Sequence, residues 1–184
     1  MRHLLTLAIA AALLPAGCAQ QQQAERGKSR PFVSTIFGDN MVLQRGKANT
    51  FWGWSEPGDR VTVEVAGKSA SAVAGQDGRW EVKLEPPAVG GPYTVKISGR
   101  ETVQFTDVLV GDVWLCSGQS NMQFPLAGAL NGAEEVKAAN HPEIRFFNVA
   151  EHVSYGSADV PQGSWKVVSP ETARQGLSAV AYFF

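Results

Sequence analysis

The sequence predicts a multi-domain chain: an antiparallel β-sandwich followed by the start of an α/β domain on a parallel sheet. Three observations carry that expectation. Apolar residues alternate with polar ones through residues 61–65, 80–84 and 93–97, which is the period of half-buried strands. After Asp107 the alternation stops, and residues 108–110 and 113–116 form a nearly continuous apolar stretch, as expected of a strand covered on both faces in a parallel sheet. That stretch breaks at Ser117-Gly118 inside WLCSGQSNMQFP (114–125), where a hydroxyl and two amides follow the end of the apolar run.

Composition bounds the rest. With 44% hydrophobic and 18% charged residues over 184 positions, the chain is globular, with room for one large domain or two small ones. A formal net charge of -1 at pH 7 supplies no electrostatic footprint for nucleic acid or an anionic membrane surface. Neutral partners of modest size fit better.

Residues 1–19 pair Arg2 and His3 with an unbroken small and apolar run, then Pro15-Ala16-Gly17-Cys18-Ala19. That is the layout of a secretory signal, too short for a permanent membrane span. Cys18 after Ala-Gly matches a bacterial lipobox except for Pro15, so lipidation at Cys18 and plain cleavage both stand. The protein is accordingly expected to be exported: periplasmic, outer-membrane-anchored or secreted, touching a membrane only through that anchor. Without Cys18, Cys116 stands alone and is expected to be an inert buried hydrophobe rather than half of a disulfide. Residues 20–30 are polar, basic and aperiodic, and read as a flexible tether.

Residues 31–106 are the predicted sandwich. The breaks between the alternating segments are turn chemistry: Pro57-Gly58-Asp59, Ala66-Gly67-Lys68, Gln76-Asp77-Gly78, Gly90-Gly91-Pro92 and Ser98-Gly99-Arg100. Short strands at that spacing indicate a sandwich, and roughly 75 residues is near the minimum for a useful core. Trp52 and Trp54 are two apart and share a face. They form either a sugar-stacking platform or, by the reading their bulk favours, packing area.

Residues 107–184 are the predicted start of the α/β domain. Asn131, with Glu134 three positions on, suits a capped helix that ends at Asn140-His141-Pro142, and residues 144–149 make a second apolar strand. Strand, helix, strand implies a right-handed βαβ unit. Ser169-Pro170-Glu171-Thr172 marks a helix start, unless that helix begins nearer Ser178. Leu177, Val180, Ala181 and Phe184 recur at helical spacing with no closing cap. Two parallel strands do not make a covered sheet, so the chain is expected to be the front of a longer protein.

Ser120 is the candidate nucleophile. Ligands of open α/β sheets collect beyond the carboxyl ends of strands, and a turn beginning at Ser120 aims its N–H at a developing oxyanion. Gln119 and Asn121 are the neighbouring candidates for substrate binding. The competing reading is a polar turn whose side chains merely satisfy backbone groups. A serine hydroxyl needs a base oriented by a carboxylate, and none is evident. His3 lies in the signal, His141 precedes a proline at a helix end, and His152 follows the second strand. Asp107 and Asp112 read as strand-end residues. No Cys/His cluster at ligand spacing supports a metal, and no glycine-rich phosphate loop supports a nucleotide cofactor.

DVLVGDVWLCSGQSNMQFPL (107–126) resembles the nucleophile block of sialate O-acetylesterases, members of the SGNH hydrolase superfamily. FGDNMVLQRGKA (37–48), FWGWSEPGDRVTV (51–63), DGRWEVKL (77–84) and GGPYTVKI (90–97) resemble that family's N-terminal β-domain. HPEIRFFNV (141–149), GSWKVVSPET (163–172) and LSAVAYFF (177–184) resemble its next blocks, in order. The resemblance implies an SGNH, flavodoxin-like hydrolase domain, a serine carbohydrate esterase acting on O-acetylated sialic acid through an acetyl-serine, and no cofactor. Ser120 carries over as nucleophile and its N–H as an oxyanion donor. The remaining donors, and the catalytic His and Asp, are implied to lie in later blocks beyond residue 184, so this chain is expected to be inactive alone. Two alternatives stay open: a non-catalytic secreted glycan-binding module built on the sandwich, and an acetyl esterase of plant polysaccharides.

Overall fold

A computed structural model describes residues 30–150 and 160–184. The expected signal, Cys18, His3, nearly all of the tether and His152 lie outside the described residues. Residues Pro31–Phe184 form one compact unit.

Seven strands make the larger part: β1 (Val42–Gln44), β2 (Asn49–Trp54), β3 (Arg60–Val65), β4 (Lys68–Val73), β5 (Arg79–Leu84), β6 (Gly90–Ser98) and β7 (Thr102–Gly111). Five of them form a sheet in the order β1-β7-β6-β3-β4, and β2 pairs with β5 in a two-stranded ribbon. The alternation read from the sequence is real. Val61, Val63, Val65, Trp80, Val82, Leu84, Val95 and Ile97 all point into one core with Phe51, Val108 and Val110. The β3–β4 hairpin closes at Ala66-Gly67, both at positive φ, the two-residue turn whose twist matches the strands. Gly53 is required on β2, because an added Cβ would stand 2.0 Å from Phe32 O. Residues 32–34 lie across that ribbon, with Trp54 N donating to Phe32 O at 3.1 Å and Ser34 N to Trp52 O at 2.9 Å.

The structure corrects several expectations. The sheet is mixed and not wholly antiparallel, since β1 runs parallel to β7. Gly90-Gly91-Pro92, read as a break, begins β6. Trp54 is buried in the core and the half-buried Trp52 packs edge-on against Phe37 at 4.8 Å, so the two do not form a shared exposed platform. The apolar residues 113–116 are not a strand. The last rungs of the sheet are Gln44↔Gly111 and Gly90↔Val110, with Arg45 N donating to Gly111 O at 2.9 Å, and from residue 112 on the chain carries no strand pairing until β8. Instead Asp112 accepts from Arg45 Nε at 2.8 Å and Val113 N donates to Gln44 Oε1 at 2.9 Å. Residues 112–118 are exposed, and Cys116 is an exposed free thiol rather than a buried one.

The expected parallel βαβ unit does not form among the described residues. Two single 3₁₀ turns, Ser120–Gln123 and Leu126–Gly128, lead to α1 (Gly132–Ala138). Asn131 is its N-cap, but at φ 57° and with no side-chain cap bond, so the expected capping box is absent. β8 (His141–Phe147) then pairs antiparallel with β9 (Trp165–Val168). Both proposed helix starts exist: α2 (Pro170–Arg174) has a capping box between Ser169 and Thr172, and α3 (Ala179–Phe183) is capped by Ser178. Leu126, Val136, Ala139, Val168, Ala173, Leu177 and Ala179 make a second, small core.

Three contacts tie β8 and β9 to the seven-stranded part. Trp165 Nε1 donates to Ile36 O at 2.7 Å, Thr35 Oγ1 donates to Pro161 O, and Arg145 pairs with Asp107 at 3.0 Å. The Arg145 side chain is 5% exposed, and its Nε and Nη1 find no acceptor among the described residues.

Candidate active site

The stretch singled out in the sequence forms a short, exposed turn. Gln119 is extended at φ -111°, ψ -159°, and residues Ser120–Gln123 follow as one 3₁₀ turn. Backbone bonds from Met122 N to Gln119 O at 2.8 Å and from Phe124 N to Asn121 O at 3.3 Å close its two ends. Gln119, Ser120 and Asn121 are all exposed. The first N–H groups of such a turn have no acceptor inside it, so the N–H of Ser120 is placed to donate outward, beside its own hydroxyl. Gly118 leaves the approach open, the nearest atom to an added Cβ being Met122 Cβ at 3.6 Å.

The turn is docked on α3. Leu126 N donates to Leu177 O at 2.8 Å, Ala179 N to Phe124 O at 2.9 Å, and Ser178 Oγ to Met122 Sδ at 3.5 Å. Sequence reasoning missed this docking. Its one signal was Ser178, recognised only as an alternative helix start.

The other candidate residues are committed elsewhere. Asp107, at φ 52°, pairs with Arg145. Asp112 pairs with Arg45, whose guanidinium is held above its ordinary pKa first by the hydrogen bond to Asp112 and then by that charge. His141 is the sole histidine among the described residues, and it is exposed. Its Nε2 lies 3.1 Å from Tyr182 Oη, and no hydrogen bond joins it to Ser120. The described residues thus bring together the candidate nucleophile Ser120 and its own N–H, without a histidine base beside them.

No protein-family model matches the chain. It is 37% identical over 142 residues to the sialate O-acetylesterase of Rattus norvegicus, an alignment covering 70% of this chain and 26% of the relative. It is 39% identical over 132 residues to the Homo sapiens sialate O-acetylesterase, covering 65% of this chain and 25% of that protein. The chain is a homologue of sialate O-acetylesterases. Among solved structures, a carbohydrate acetylesterase from Xanthomonas citri superposes with a TM-score of 0.78 at 40% identity, covering 83% of this chain and 36% of that one. The esterase resemblance therefore extends from sequence to fold. The chain spans about a quarter of the length of the curated esterases it matches.

Proposed function

We propose that this chain carries the nucleophile of a carbohydrate esterase that hydrolyses O-acetyl esters, those of sialic acids first among them. The observation that carries this reading is the exposed Ser120 as first residue of a 3₁₀ turn, where its N–H has no acceptor inside the turn, in a homologue of sialate O-acetylesterases. Ser120 Oγ attacks the acetyl carbonyl carbon and gives its proton to a base. The carbonyl oxygen takes up the negative charge against the Ser120 N–H. Collapse breaks the ester C–O bond, the sugar oxygen leaves with the proton, and acetyl-Ser120 remains. Water then attacks that ester with the base again taking a proton, and collapse releases acetate while that proton passes to Ser120 Oγ, restoring the free serine.

The base and its carboxylate are assigned to chain additional to the described residues, in keeping with the greater length of the relatives and the commitments of His141, Asp107 and Asp112. In the same reading the boundary expected at 106/107, which would cut β7, moves to the end of that strand: residues 31–111 serve as an accessory β-domain and residues 112–184 open the hydrolase domain. Export, with or without a lipid at Cys18, belongs to the proposal on the strength of residues 1–19 alone. The glycan-binding alternative loses the paired tryptophans as a motive, because Trp54 is buried and Trp52 packs on Phe37, and rests on the missing base alone.

Acetate release from an O-acetylated sialic acid by the full natural protein tests the proposal. Ser120→Ala is expected to reduce kcat by several orders of magnitude, roughly 10⁴-fold or more, and undiminished release removes Ser120 from the mechanism.

A further inference from the structure

The Ser120 segment is a single 3₁₀ turn of four residues, too short to hold itself in place, so its position depends on what it is docked against. Residues 177–179 supply that support. The bonds from Leu126 N to Leu177 O and from Ala179 N to Phe124 O bracket an antiparallel bridge in which Pro125 lies opposite Ser178. At such a non-hydrogen-bonded position the N–H of the paired residue points away from the ladder. Proline therefore fits there at no cost in bonds.

Ser178 also uses its hydroxyl twice. Its oxygen accepts from Ala181 N at 3.3 Å, capping α3, and its O–H donates to Met122 Sδ at 3.5 Å. Met122 stands two residues after Ser120 within the same turn.

Resting on the reading of Ser120 as nucleophile, we infer that Ser178 is a positioning residue for it, its hydroxyl joining the cap of α3 to Met122 and so fixing where Ser120 stands. An O–H to sulfur contact is individually weak. Its consequence is geometric: reacting atoms must sit at about 3–3.5 Å, and a displacement of about 1 Å costs up to about 100-fold in rate.

The test uses the full natural protein and acetate release from an O-acetylated sialic acid. Ser178→Ala is expected to lower kcat roughly ten- to hundredfold while KM stays within about twofold. Ser178→Asp keeps an acceptor for Ala181 N but has no O–H for Met122, so thermal stability recovers and kcat stays low. Ser178→Thr, which keeps both functions, restores most of the loss. Met122→Leu reproduces the kcat loss, and the Ser178→Ala/Met122→Leu double variant loses no more than either single one, as coupled residues do. Full kcat in Ser178→Ala, or recovery of kcat with stability in Ser178→Asp, overturns the inference by reducing Ser178 to a helix cap. If Ser120→Ala instead retains activity, the nucleophile reading fails separately. Amide exchange at residues 122–124 then decides the contact: acceleration in Ser178→Ala supports it and unchanged exchange overturns it.

Discussion

Residues 31–111 bury Phe51, Trp80, Ile97 and Val108 at 1% exposure or less, whereas residues 112–184 leave Trp114, Leu115, Leu130 and Phe184 at 68% or more. The two regions do not differ in having apolar residues but in what their backbones pair with. In the first, each alternating strand has a hydrogen-bonded neighbour, and the pleat turns one face of the strand inward. In the second, residues 113–116 are as apolar as any strand of the sheet, yet the ladder has ended at Gly111. An apolar run specifies burial only where a backbone partner holds it against other apolar surface. The region with the weaker core is also the one that carries Ser120, so the candidate nucleophile is supported by a few specific bonds and not by a packed sheet.

The comparison is broken most severely in the core. Trp80→Ala removes an indole that is 1% exposed and donates to Phe32 O at 2.8 Å. It is expected to cost about 3–5 kcal/mol, read from the urea unfolding midpoint; a loss below about 1 kcal/mol contradicts the account of the seven-stranded part as built on one packed core. Next is the ion pair between the regions. Asp107→Asn keeps the shape and tolerates the positive φ, but it strips the buried Arg145 of its charged partner, at a cost of about 1–3 kcal/mol after allowing for the exposure of Asp107. Arg145→Met combined with Asp107→Asn is expected to recover part of that loss. Leu115→Ser, at a side chain 94% exposed, is expected to move the midpoint by no more than about 0.5 kcal/mol, and a core-sized loss there means that residues 113–116 are covered after all.

The smallest effect concerns Arg45, exposed and paired with Asp112. Its folded pKa is raised, so its contribution is complete below the unfolded value and lost only as pH rises beyond it, above the ordinary arginine range. Arg45→Gln is therefore expected to leave the pH dependence of unfolding between pH 5 and 9 unchanged, and a new slope in that window contradicts the assignment.

Alternation made β3, β5 and β6 legible, because period-two burial is written directly into residues 61–65, 80–84 and 93–97. β4 (KSASAV) was not, since a strand at the sheet edge with small and polar residues carries no apolar period. β1 was equally hidden: its three residues gain strand character only from pairing with β7, more than sixty positions away. The helix starts at Ser169 and Ser178 were readable from cap chemistry, whereas Asn131 caps through a left-handed backbone that its side chain did not announce. At the site, the break after the apolar run placed Ser120 at a turn. Its support by Leu177 and Ala179 was not readable, because backbone bonds across fifty residues leave no signature in side-chain type.

The central claim is that Ser120 is the nucleophile, and active-site labelling tests it most directly. The full natural protein is titrated with a fluorophosphonate while acetate release is followed, and the adduct is located by peptide mass spectrometry. The account predicts one adduct, on Ser120, whose fraction equals the fraction of activity lost and which an O-acetylated sialic acid slows. Complete inhibition with Ser120 unmodified, or full activity with Ser120 fully modified, contradicts it.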